Sequence, residues 1–405
     1  MKSGTIVPSA SESLWERWHV KALFTPKVAL QLCLAGGLLL PSNAAWAMLC
    51  YVLVLPTVLL KGWRGWRPGW APAAFTAMLA LCVWSSLSIM WDDNLSGHGN
   101  GYGYWLLNAA CMFGFLFCFK MAEAEDARLR ERAISVLIAA GALNALISLG
   151  IVVAMGDWGI RLTGWGATRN PVLGAAILDI CLLLAIGRVA EGGRWRHWHL
   201  AAMLPMGLYL LLSYSRTPLL AMACALAILA FGSWRAFGRA VLAGGGVLLA
   251  GVALWWLRPG WLAVFTHNLL ARGTDCHVTI WLTAWREFLS RPLIGHGPSA
   301  RLPIEPHGFC PAYPSPHDLY LSLLLYSGLI GFVLFAVSEL LVLRHLWRCA
   351  SGFGFRLWLA VMTVPLVVGL TDLSQVIKGP SPMWYIIWMP LLLVLLLRPA
   401  GSAER

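Results

Sequence analysis

Residues 171–190 read PVLGAAILDICLLLAIGRVA, a nearly unbroken apolar run whose only acid before its end is Asp179. Rising 1.5 Å per residue, about 20 such residues in a helix cross the ~30 Å hydrocarbon core of a bilayer. Runs of the same kind recur near 27–41, 43–60, 72–91, 102–121, 133–155, 198–215, 217–233, 239–257, 317–343, 355–374 and 382–398. Hydrophobic residues make up 59% of the 405 residues and charged residues 12%, against roughly a quarter charged in soluble domains. The expected fold is therefore an all-α polytopic integral membrane protein with about twelve transmembrane helices. It forms a single transmembrane domain over 1–405, with one long loop, 258–316, inserted between spans 9 and 10.

The distribution of the 30 Lys and Arg residues orients these spans. Most fall in the arm before the first span and in alternate loops, which predicts cytoplasmic termini and an extracytoplasmic long loop. The net charge of +12 reports this inside bias and gives no footprint for nucleic acid. Within the loop, Thr279–Leu293 places Trp281, Trp285, Phe288 and Leu289 on one helical face, as an amphipathic helix lying on the bundle would.

Few basic residues lie on the outer side, and they are placed for chemistry. Arg161, Arg169 and Asn170 precede the span at Pro171; Arg216 opens a span in Ser213-Tyr214-Ser215-Arg216-Thr217-Pro218; Arg272 lies in the long loop. Guanidinium groups match phosphate oxygens bidentately and keep their charge when partly desolvated. For any one arginine, snorkelling to lipid headgroups is the competing reading.

His317 sits in Tyr313-Pro314-Ser315-Pro316-His317-Asp318-Leu319-Tyr320-Leu321, where the loop re-enters the membrane. Ser315 suits an N-cap, Pro316 the first helical position, and Asp318 the capping-box position three residues on. That frame puts His317 in the first helical turn, where the dipole keeps the imidazole neutral and fit to act as a general base. An interfacial histidine bonded to a loop carbonyl is the alternative. Loop residues His267, Cys276, His277, His296, His307 and Cys310 show no ligand spacing typical of zinc, so neither metal nor cofactor is expected. Cys276 and Cys310 are candidates for a disulfide, and the other eight cysteines for apolar packing.

Together the motifs resemble the O-antigen ligase family, within the group that also holds O-antigen polymerases and bacterial O-oligosaccharyltransferases. Four segments carry the likeness: Arg161 through Asn170-Pro171; Ser215-Arg216-Thr217-Pro218; Arg272 with Ile280-Trp281 and Pro292-Leu293-Ile294-Gly295-His296-Gly297; and His317-Asp318-Leu319-Tyr320-Leu321 with Gly328-Leu329-Ile330-Gly331. The family usually has His-Asn where this chain has His317-Asp318, and a small residue where it has Thr217.

The resemblance implies an inner-membrane glycosyltransferase of lipopolysaccharide biosynthesis in a Gram-negative cell, its active site facing the periplasm. Donor and acceptor would be an undecaprenyl-pyrophosphate-linked O-antigen and lipid A–core, both met among membrane lipids. Arg161, Arg216 and Arg272, with Arg169 and Asn170, would bind the pyrophosphate, and His317 would serve as base. An O-antigen polymerase uses the same donor; a transporter of lipid-linked sugars is the reading from another class.

Overall fold

The structure, a computed structural model, describes residues 24–61, 73–92, 101–156, 161–231, 276–304 and 315–398. Helices occupy every predicted stretch but 239–257, which lies outside the described residues. They are α1 (Pro26–Leu39), α2 (Asn43–Lys61), α3 (Ala73–Leu87, extended by the 3-10 turn Ser88–Trp91), α4 (Tyr102–Glu125), α5 (Leu129–Met155) and α6 (Pro171–Glu191). There follow α7 (Arg196–Leu212), α8 (Arg216–Ala230), α9 (His277–Ser290), α10 (Leu319–Cys349), α11 (Gly352–Val368) and α12 (Met389–Leu395), the last entered through the π-turn Trp384–Trp388. No strand occurs among the described residues.

Six of these helices are long and apolar enough to cross a membrane: α2, α3 with its 3-10 turn, α4, α5, α6 and α10. Their burial sorts them. The apolar window of α6 is 83% buried and that of α2 only 28%, so α6 is the central post and α2 lies on the rim. The start of α6 is written locally: the Asn170 side chain accepts from the Val172 and Leu173 N–H groups, and Pro171 takes the first helical position.

Two cysteines depart from expectation. Cys33 of α1 and Cys50 of α2 form a disulfide instead of packing as separate thiols, and so tie the first two helices together. Next to it, the Trp46 indole donates to the Cys33 carbonyl at 2.8 Å and stacks on Tyr385 at 5.1 Å. Cys276 is disulfide-bonded; Cys310 lies outside the described residues.

The part of the long loop that is described does more than connect. Helix α9 turns Ile280, Ala284 and Phe288 inward and leaves Trp285 and Leu289 exposed. The buried face is thus rotated from the predicted stripe, because α9 packs on α10 through Ile280, Ala284, Leu325 and Tyr326. After α9 the chain docks into a break in α10 at Gly328, whose φ 66 and ψ −170 belong to a region open essentially to glycine alone. Four backbone bonds fill the break: His296 N–H to Leu325 O (2.8 Å), Gly297 N–H to Tyr326 O (3.0 Å), Leu329 N–H to Pro292 O (2.8 Å) and Ile330 N–H to Leu293 O (3.3 Å). The two glycine motifs, separate in sequence, are one joint.

A side chain at Gly328 would start directly against the Leu293 carbonyl and the Ile294 N–H. Gly328→Ala should therefore destabilise the protein by about 1–3 kcal/mol or more. The check is a thermal melt of purified protein; an unchanged midpoint would contradict this account of the joint.

Candidate functional site

Two turns carry the sequence-predicted residues, and both are forced. Tyr214 (φ 45) and His317 (φ 51) are the non-glycine residues with left-handed backbone among those described. Each immediately precedes a helix N-cap: Ser215 for α8, Asp318 for α10. Holding a residue with a Cβ in this region costs about 1–2 kcal/mol, so the surroundings must impose it.

For Tyr214 the surroundings are visible. Its side chain is fully buried. Arg161 clasps the turn from outside, donating through Nε to the Ser213 carbonyl and through Nη2 to the Ser215 hydroxyl, both at 2.9 Å. Leu162 N–H adds a bond to the Leu212 carbonyl at 3.0 Å. Arg161 thereby fixes where Arg216, the first residue of α8, projects; the Arg216 side chain is exposed.

For His317 the capping frame differs from the sequence expectation by three residues. Asp318 is itself the N-cap, accepting from the Leu321 N–H at 2.7 Å. His317 therefore stands just outside α10 and not within its first turn. Ser315 and Asp318 both suit a cap, and tertiary contact selects the later one. Leu319 N–H bonds the Gly369 carbonyl at 2.7 Å, and the Tyr320 hydroxyl bonds the Leu366 carbonyl at 2.9 Å. A side chain on Gly369 would press on Leu319, so the glycine permits this close approach.

The turn after α11 joins the two halves. Thr217, one residue past Arg216, shares a hydroxyl–hydroxyl bond of 2.7 Å with Thr371 and donates to Asp372 Oδ2 at 3.1 Å. Thr371 donates to the same oxygen at 2.6 Å. Asp372 also acts on His317: burial, the largest influence, pulls the imidazole below its ordinary value of 6.5; Asp372 pulls it back up, and His277 at the head of α9 pushes it down. Burial raises the Asp318 carboxyl above its ordinary 3.8. Asp372 thus connects the start of α8, which it bonds through Thr217, with His317 just before α10, and His277 at the head of α9 acts on the same imidazole.

Other predicted residues fare differently. Asn170 is occupied in capping α6. Arg169 is exposed, and its guanidinium makes no hydrogen bond or ion pair among the described residues. Arg272 lies outside the described residues. Among those described, no three His, Cys, Asp or Glu side chains gather as a metal site. Sequence reasoning weighed His277 only as a metal ligand and gave Asp372 no role in the site, its one signal being an acid at the outer end of a span, where acids are few.

Comparison with known proteins adds two findings. A family model described as O-antigen ligase matches residues 201–336, the range that includes Arg216, Arg272 and His317. An O-antigen ligase of Pseudomonas aeruginosa is 27% identical over 356 residues, covering 85% of this chain and 81% of its own. The two findings agree with one another and with the order of the motifs, and both make the chain similar to O-antigen ligases.

Proposed function

We propose that the protein transfers an O-antigen polysaccharide from undecaprenyl pyrophosphate to a sugar hydroxyl of lipid A–core, at the periplasmic face of a Gram-negative inner membrane. In this reading the chain crosses the membrane about twelve times with both termini in the cytoplasm. What supports it is that Asp372 bonds Thr217, next to Arg216 at the start of α8, and also acts on His317, whose imidazole burial pulls below its ordinary value. Cation and helix dipoles together suit a pyrophosphate, and a neutral imidazole beside them suits proton removal.

The step balances as follows. The acceptor oxygen forms a bond to the anomeric carbon as its proton passes to His317. The bond from that carbon to the pyrophosphate oxygen breaks on the opposite face, inverting the centre, and the electron pair leaves with undecaprenyl pyrophosphate. Arg216 and Arg272 stabilise the charge that develops there, as preorganised donors do in a site of low dielectric. Arg161 contributes by holding the turn that aims Arg216. In this reading the exposed Arg169 contacts the outer phosphate, and Asn170, which caps α6, sets where that helix begins beside it. Charge supplied this way needs no metal.

Purified protein in nanodiscs, given lipid-linked O-antigen and lipid A–core, should yield glycosylated lipid A; His317→Ala should lower the rate by about 10²-fold or more. Lengthened donor beside untouched lipid A would point to a polymerase, and no new bond in either sample would point to transport. Excess chelator should leave turnover intact, and inhibition reversed by magnesium or zinc would reject the metal-free step.

Arg216→Lys should cost at least about tenfold in kcat/KM, because an ammonium cannot reproduce the fork; near-normal turnover would return Arg216 to a structural role. For pH, the reactive form is unprotonated His317. The rate should therefore rise with pH and level off with an inflection below 6.5. Asp372→Asn removes the influence that raises His317 and should move the inflection lower still. A wild-type inflection above 6.5 would contradict the assignment.

A further inference from the structure

Close to the site lies a cavity of ≈ 40 Å³ that the proposed chemistry does not use. It is walled by the outer ends of α3 and α4, by the first turns of α10, and by residues 374–377. Its supports are those of the site: Ser322 is five residues beyond His317 on α10, and Ser374 is two residues beyond Asp372.

The lining is unusual in what it leaves undone. Three of the six serines lining the cavity spend their hydroxyls on their own helix: Ser86 on the Cys82 carbonyl, Ser88 on that of Ser85, Ser327 on that of Leu323. Ser322 does not. Its Oγ, the Asn108 Nδ2 and the Trp105 Nε1 have no hydrogen-bond partner among the described residues. All three residues line the cavity, with exposures of 0%, 4% and 8%. A buried donor left unpaired costs about 1–3 kcal/mol, and three at one cavity point to an occupant that accepts.

The chemistry of the lining narrows the occupant. Not one of the lining residues is charged, so a phosphate would meet no counter-charge. Neutral donors set beside the rings of Trp105 and Tyr326 suit a neutral, oxygen-rich ligand with apolar faces, which describes a sugar ring. At about 10–15 Å³ per water-sized occupant, the space takes about three or four hydroxyl-sized groups of such a ring, with the rest of the ring outside the mouth.

We propose that this cavity is a sugar subsite, in which Asn108, Trp105 and Ser322 donate to hydroxyl or ring oxygens of a neutral sugar in one of the two glycans. Naming the ligand a glycan rests on the transfer reading, while the geometry of the cavity does not.

The test therefore begins with binding and not turnover. Saturation-transfer NMR with methyl glucoside would be recorded on the protein in nanodiscs. The comparison set is wild type, Trp105→Phe, Asn108→Leu and His317→Ala, each checked for an unchanged melt. Loss of one neutral hydrogen bond predicts a roughly five- to tenfold weaker affinity in Trp105→Phe and Asn108→Leu. His317→Ala should bind as wild type does. No signal in wild type, or an equal signal in all four proteins, would overturn the subsite and leave water as the occupant.

KM measurements on Trp105→Phe then assign the source. A rise for lipid A–core alone would place an acceptor sugar here, and a rise for the lipid-linked donor alone a donor sugar. Weakened glucoside binding with both KM values unchanged would reject a role in transfer. If no variant or wild type transfers glycan at all, the binding comparison still decides the subsite while the transfer reading fails.

Discussion

Each peptide N–H and C=O that this chain carries into hydrocarbon must find its partner within the protein, since lipid offers none. Unbroken helices satisfy that demand trivially but produce only rods. The chemistry needs helices that stop, start and break near the outer surface, and at each such point the freed backbone groups are met by a specific neighbour. The break at Gly328 is met by residues 292–297, the start of α10 by the Gly369 carbonyl, and the turn before α8 by Arg161 and Leu162. Remove any of these and a polar group is stranded at depth. The site exists because the molecule found partners for irregular backbone in one small region.

That region is also where charge is managed. On the proposed reading Arg216 at the start of α8 makes it hospitable to an anion, while burial makes the imidazole of His317 harder to protonate. Asp372 tempers that effect and holds Thr217 and Thr371 in place through one carboxylate oxygen. It thus links the position of the arginine helix to the protonation of the histidine. The lining of the neighbouring cavity is free of charge altogether, so the two compartments differ in kind: one suits phosphate, the other hydroxyl groups.

Much of the helical layout could be read from the chain, because twenty-residue apolar runs have few other ways to satisfy their backbone. Asn170-Pro171 announced its helix start correctly, since cap and proline leave one frame. Ser315-Pro316-His317-Asp318 did not, because it contains two good caps three residues apart and only contact with Gly369 chooses between them. The face of α9 was misread for a related reason: its aromatic residues suggest one stripe, while the groove offered by α10 accepts the narrower Ile280 and Ala284. Cys33 and Cys50 resembled ordinary packing residues, and no spacing rule brings two apolar helices into bonding register. Asp372 was visible as an outer acid, yet its partners are 155 and 55 residues away along the chain.

Tyr214 and His317 adopt a backbone shape that glycine would take without penalty. At His317, which is only partly buried, glycine would relieve that strain at the loss of the imidazole, whereas at the fully buried Tyr214 the cavity left by the ring would cost more than the strain relieved. On the proposed reading, His317 is the corner where durability is surrendered for activity, while packing of the buried ring offsets the strain at Tyr214. Laboratory evolution toward heat tolerance would be drawn to His317 and not to Tyr214, and on the proposed reading a screen blind to turnover would select inert variants there.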